Sequence, residues 1–227
     1  MLTKKSVYSL VIVALVALVS PANAFWGKKE TTKSKSEGTK MHAEEVKSKK
    51  EKNSNKSSSD TVVMNTEKGE FKIKLYLDKA PVTAGNFKDL VERKFYDGII
   101  FHRIIPGFVV QGGCPHGNGT GGFIDPETKK ERTVPMEKTS LRHTKPGIEA
   151  MARTQDPNSA SSQFFIDLAP LPSLDPGGVD PYGYAIFGEV SEGMETVEKI
   201  VKENVAPYPG SDGTANPVKI LTARIEE

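Results

Sequence analysis

One stretch of this chain cannot enter a hydrophobic core, and it fixes where folding can occur. Residues 25–60 hold ten lysines, six acidic residues and at least five serines, with almost nothing apolar after Trp26. Such a segment buries too little apolar surface to offset the conformational entropy lost on ordering, so it reads as a disordered lysine-rich tether. Folding is thereby confined to residues 61–227, which suffice for one domain with a sizeable core.

The residues before the tether form a separate signal. Lys4 and Lys5 precede an apolar run over 7–19, followed by Pro21 and the small-residue pattern Ala22-Asn23-Ala24. That is the layout of a signal peptide over 1–24 with cleavage after Ala24. The run is shorter than the roughly 20 apolar residues that a spanning helix needs, so no stable membrane insertion is expected after cleavage. A retained anchor is the alternative. Export through the secretory pathway follows, to an extracytoplasmic site, the periplasm or the medium. Ala24-Phe25 followed by a Ser/Thr/Lys-rich stretch also resembles the two-part leaders of complex plastids, which makes the plastid lumen or stroma the alternative destination.

Charge separates the same regions. Residues 1–60 carry 12 of the 31 Lys+Arg and 6 of the 29 Asp+Glu, leaving 19 basic against 23 acidic residues in 61–227, a balance of −4. The basic excess belongs to leader and tether, and the folded part has no basic character that points to nucleic acid. Cys114 is the only cysteine, so no intrachain disulfide can form and stability must come from the core.

Within 61–227 the pattern is one of short strands. Residues 61–65 and 70–77 read as a hairpin across Glu67-Lys68-Gly69, with Phe71, Ile73, Leu75 and Leu77 alternating against Lys72, Lys74 and Tyr76. Pro81 and Thr83 open a helix through Glu92, on the spacing of Val82, Phe87, Leu90 and Val91. Strands are expected at 99–105 and 108–111, joined at Pro106-Gly107, then at 148–152, 164–168, 185–190 and 218–225, with a second helix at 194–201. Many short strands with two helices predict a closed β barrel with helical lids.

Several motifs lead nowhere. Gly117, Gly119 and Gly122 satisfy G-x-G-x-x-G, but Phe123-Ile124-Asp125-Pro126 follows instead of a helix whose amides could hold a phosphate. There is no H-E-x-x-H, Cys-x-x-Cys or G-x-S-x-G, and His102, His116 and His143 lack ligand spacing, so neither a metal site nor a cofactor is expected. Phe101-His102-Arg103 carries more information. On a continuous strand Phe101 and Arg103 share one face, where Val109, Gln111 and Phe165 can join them. The same residues also fit a plain reading, in which the two phenylalanines are core and Arg103 is a rim charge.

The run FHRIIPGFVVQGG at 101–113 resembles the signature of the cyclophilin family. Gly119-Thr120-Gly121-Gly122, the blocks at 151–153 and 157–166, and Phe187-Gly188-Glu189-Val190 before Gly193-Met194 agree with it in order and spacing. The resemblance covers essentially all of 61–227 and implies a mostly β fold, a closed eight-stranded antiparallel barrel capped by two α-helices. It implies peptidyl-prolyl cis/trans isomerase activity on proline-containing polypeptides in folding, by a monomer without cofactor. The residues implied as catalytic are Arg103, Gln111 and Phe165. Those implied to bind substrate are Phe101, Phe108, Val109, Ala152, Arg153, Leu174 and Tyr184. Three departures resemble the bacterial and organellar branch: Ser173 stands where many eukaryotic cytosolic members have Trp, Tyr184 where they have His, and the loop 176–183 is longer than usual. A non-catalytic module holding proline-containing segments in the same groove is the rival reading, and an export-pathway scaffold a third.

Overall fold

The computed structural model describes residues 60–203 and 216–227. The expected leader and the tether up to residue 59 lie outside the described residues. Strands β1 (Thr61–Thr66) and β2 (Gly69–Leu75) pair antiparallel as the alternation predicts, burying Val62 and Met64 on one and Phe71, Ile73 and Leu75 on the other. The Thr66 hydroxyl fixes the turn, accepting from the Lys68 amide at 3.1 Å and donating to the Gly69 carbonyl at 2.8 Å. Helix α1 (Pro81–Glu92) starts where proline is best tolerated, its missing N–H being one of the unpaired amides of the first turn.

The remaining strands are β3 (Arg103–Ile105), β4 (Val109–Gly112), β5 (Ile148–Met151), β6 (Phe164–Asp167), β7 (Ile186–Glu192) and β8 (Ile220–Ile225), with α2 (Met194–Glu203) between the last two. A 3-10 turn at Pro172–Leu174, which no sequence pattern predicts, precedes β7. All eight strands form one antiparallel sheet in the order β3-β4-β6-β5-β7-β2-β1-β8. Helix α1 packs on β7 and β8, and α2 on β2. At one end of this sheet Val62 of β1 lies opposite Ile225 of β8, and the Glu226 amide donates to the Thr61 carbonyl at 2.9 Å.

The expectation of a closed barrel is met in part. The eight antiparallel strands and two helices are present in a curled sheet, with β3 and β8 as its terminal strands. The expected strand at 99–105 is divided. Its first half bonds elsewhere: the Gly98 amide donates to Ile220 O, Ile220 N to Ile99 O, and Phe101 N to Val218 O. From His102, whose amide donates to Gln111 O at 3.1 Å, the chain bonds β4 instead, in register from Arg103. The change of partner falls at His102, so the two-residue alternation does not run through from Phe101 to Arg103.

The sheet separates two apolar layers. Inside lie Phe71, Phe87, Phe101, Phe164, Phe187 and their aliphatic neighbours, with Phe87 edge-on to Phe164 at 5.4 Å between ring centroids. Outside lies a smaller cluster of Val109, Ile148, Ala150, Phe165, Leu171, Leu174 and Ile186. β6 shows the division within four residues, because Phe164 and Ile166 belong to the inner layer and Phe165 to the outer.

Candidate active site

The outer layer is organised by strand register. Arg103 on β3 lies opposite Gln111 on β4, Gln111 opposite Phe165 on β6, Phe165 opposite Ala150 on β5, and Ala150 opposite Ile186 on β7. One rung across five strands therefore presents a guanidinium, a carboxamide, an aromatic ring, a methyl and an aliphatic side chain in sequence. Since successive residues on a strand alternate faces, this rung is set by pairing alone.

The β3–β4 connection aims the neighbours of that rung. The Phe108 amide donates to the Ile105 carbonyl at 2.9 Å across Pro106-Gly107, and Gly107 sits at φ +75°. Proline at the second and glycine at the third position define a type II turn, whose third residue needs positive φ. Phe108, Tyr184 and Ala152, all half-buried, pack on the cluster of Val109, Phe165 and Leu174. Tyr184 meets the Phe165 ring edge-on at 5.4 Å. Thus an apolar surface borders the polar end of the rung.

Gln111 is held in place. Its Nε2 donates to Gln163 Oε1 at 3.0 Å, and Gln163 Nε2 donates in turn to the carbonyls of Gly119 at 3.0 Å and Gly121 at 2.9 Å. The glycine stretch thus offers carbonyls to a side chain rather than amides to a phosphate. With its NH₂ engaged by Gln163, the carboxamide oxygen of Gln111 can serve as acceptor. Gln163 lies in the block 157–166 that carries the resemblance, but nothing local shows that its amide joins β4 to the glycine stretch.

Arg153 does more than line a groove. Its side chain is 3% exposed and lies 4.8 Å above the Tyr184 ring. It donates to Asp180 Oδ1 at 2.5 Å, to Gly183 O at 2.6 Å and to Thr154 O at 2.9 Å. Asp180 Oδ1 also accepts from the Tyr182 and Gly183 amides. Burial alone would raise the Asp180 carboxyl, but these amides and the guanidinium outweigh it and hold the group below its ordinary value. The long loop 176–183 is therefore anchored on the groove through Arg153. Leu174 on the 3-10 turn is buried at its base, and Ser173 is exposed.

Phe101 is not brought to this face. It is fully buried in the inner layer, its ring 6.2 Å from Phe164 and so close to Gly112 that a β-carbon there would lie 3.0 Å from it. The shared face expected for Phe101 and Arg103 assumed an unbroken strand, and the break at His102 removes it. Arg103, Gln111, Phe108, Val109, Phe165, Ala152, Leu174 and Tyr184 do belong to the outer face. Among the described residues no group of three His, Cys, Asp or Glu side chains could hold a metal ion, and no helix is long and apolar enough to cross a membrane.

Known proteins resemble this chain over its folded part. The family model described as cyclophilin type peptidyl-prolyl cis-trans isomerase/CLD matches residues 61–225. A peptidyl-prolyl cis-trans isomerase of Acinetobacter baylyi is 40% identical over 169 residues, which is 73% of this chain and 85% of that protein. Peptidyl-prolyl cis-trans isomerase-like 1 of Aspergillus oryzae is 40% identical over 168 residues, 73% of this chain and 95% of the relative. A crystal structure of a Cryptosporidium parvum cyclophilin type peptidyl-prolyl cis-trans isomerase, in the presence of the dipeptide Ala-Pro, superposes with a TM-score of 0.63 at 31% identity, covering 74% of this chain and 99% of that one.

Proposed function

The chain belongs to the cyclophilin-type peptidyl-prolyl cis-trans isomerase family and is an enzyme of that class, and from this premise we propose how the outer rung performs the reaction. The register that aligns Arg103, Gln111 and Phe165 carries the proposal.

An X-Pro bond prefers trans by only about 0.5 to 1 kcal/mol, yet amide conjugation makes exchange take tens to hundreds of seconds. At the top of the barrier, roughly 18–20 kcal/mol high, the bond is twisted. The prolyl nitrogen is then pyramidal and its lone pair accepts a hydrogen bond, which it does not in the planar amide. The proline ring rests on Phe165, Val109 and Leu174, with Phe108 and Tyr184 at the border. Arg103, at the polar end, donates to the nitrogen as it pyramidalises, so this contact strengthens towards the transition state and lowers the barrier. Gln111 holds the substrate backbone while the residue before proline rotates. The rotation requires no acid, base or covalent intermediate.

The substrates in this reading are proline-containing segments of folding polypeptides, consistent with the Ala-Pro present in the C. parvum crystal. The layout of residues 1–24 supports export, with the complex plastid as the alternative destination, and N-terminal sequencing of the mature protein from its host distinguishes them. The bonds between 98–101 and 218–220 support reading the curled sheet as a closed barrel. The mechanism is tested by Arg103→Ala in an X-Pro peptide assay. A loss in kcat/KM on the order of 10²- to 10³-fold is expected, as for removal of one transition-state donor. Undiminished turnover by the folded variant would discard the role of Arg103.

A further inference from the structure

Behind the ring that receives proline lies a buried pair to which the mechanism above gives no part. His143 Nδ1 and Asp167 Oδ2 are 2.7 Å apart, and both side chains are completely buried. The imidazole lies nearly parallel to the Phe165 ring, 13° between planes and 6.0 Å between centroids. Its backbone is fixed as well: the His143 amide donates to Asp175 Oδ1 at 3.0 Å, and its carbonyl accepts from Leu171 N at 2.8 Å. Leu171 and Asp175 flank the turn that carries Leu174. One residue thus joins the backing of Phe165 to the placement of Leu174.

The pair is poorly explained by stability. Asp167 is two residues from Phe165 on β6, and its register partner Val109 belongs to the apolar cluster. Burial raises its carboxyl above the ordinary value, with the neighbouring His143 acting against that rise. Asp167 Oδ1 and His143 Nε2 have no hydrogen-bond partner among the described residues. An apolar pair of similar volume would avoid both desolvation costs. What an apolar pair does not supply is orientation, since an aliphatic side chain rotates behind a ring whereas an imidazole bonded through Nδ1 to a fixed carboxylate cannot.

We propose that His143, anchored by Asp167, is a positioning residue for the isomerase: it fixes the plane of the Phe165 ring and thereby the shape of the surface that receives proline. The proposal rests on the reading of Phe165 as that surface. Fixing a ground-state contact that persists through the reaction governs substrate affinity more than the rate of rotation.

The experiment measures kcat and KM separately for X-Pro peptides on the full chain. His143→Leu should raise KM about tenfold with kcat changed by less than about threefold, the signature of lost uniform binding. Asp167→Asn, which keeps an acceptor for Nδ1–H, should stay within about threefold of wild type in both constants. The double variant His143→Phe/Asp167→Leu fills the space without the anchor. It should be at least as resistant to denaturant as wild type and still show the raised KM. A wild-type KM in the double variant, or in folded His143→Leu, would overturn the proposal by showing that volume alone suffices. If wild type turned over no X-Pro peptide, or Arg103→Ala kept full activity, the mechanism above would fall instead. The two failures are therefore separable.

Discussion

Arg153 and Asp180 stand 27 residues apart in sequence and 2.5 Å apart in space, an ion pair whose arginine side chain is almost wholly buried. It converts the loop 176–183 from a surface excursion into a wall of the groove. Gly178 shows how closely that loop folds, because a β-carbon there would overlap the Ser173 carbonyl. Asp180→Ala should leave the guanidinium with carbonyl partners only and cost about 1–3 kcal/mol of stability. Arg153→Ala should cost a similar amount and also remove the cation above Tyr184. Denaturant titration of both single variants and the double checks this: a coupling energy below about 0.5 kcal/mol would show that the loop holds without the pair.

A second expectation concerns Glu149, on the inner face of β5 between Ile166 of β6 and Gly188 of β7. Its carboxyl is wholly buried with no hydrogen-bond partner among the described residues, and burial raises it well above its ordinary value. Above pH ~4.3, the ordinary value of a glutamate, the unfolded chain releases a proton that the folded chain retains, so stability falls as pH rises. Glu149→Leu should therefore stabilise the protein by about 1–3 kcal/mol at pH 7, and by less at pH 4. Equal gains at the two pH values would show that the carboxyl is not held neutral.

His102 should act in the opposite sense. Burial, assisted by the adjacent Arg103 charge, lowers its imidazole to about 4. Between pH ~6.5 and 4 the unfolded chain takes up a proton that the folded chain refuses, so this stability is complete above the upper value and lost as pH falls. The displacement corresponds to about 3 kcal/mol. Stability measured from pH 7 to 4 should fall less steeply in His102→Gln than in wild type. Parallel curves would show that His102 is protonated in the folded chain. Because Glu149 and His102 slope in opposite directions, the wild-type curve alone conceals both, and the single variants separate them.

Residues that act with sequence neighbours were legible, and residues that act across the fold were not. The hairpin of β1 and β2 follows from alternation, and the start of α1 from Pro81. The cap of α1 does not: Glu137 receives the Val82 and Thr83 amides at 3.1 and 2.8 Å, from more than 50 residues away. Alternation already puts Arg103, Gln111 and Phe165 on one face and the resemblance gives them roles, whereas the rung that sets them side by side is a matter of register, which no single strand reveals. Phe101 falls on the inner face against expectation, because alternation detects extended backbone but not the exchange of pairing partner at His102. His143 lacks ligand spacing, and nothing in the sequence brings it to Asp167, 24 residues on at the end of β6.

The meeting of β1 with β8 has a further consequence for topology. With the Glu226 amide bonded to the Thr61 carbonyl, the first strand and the end of the chain are one hydrogen bond apart. A linker of a few residues could join 227 to 61 and make the domain a ring, which could then be opened at the exposed turn 126–130, held chiefly by Asp125. The order in which strands leave the ribosome would change while every rung of the sheet stayed the same. A circular permutant of this kind would ask whether catalysis depends on the direction of synthesis or only on the pairing it reaches.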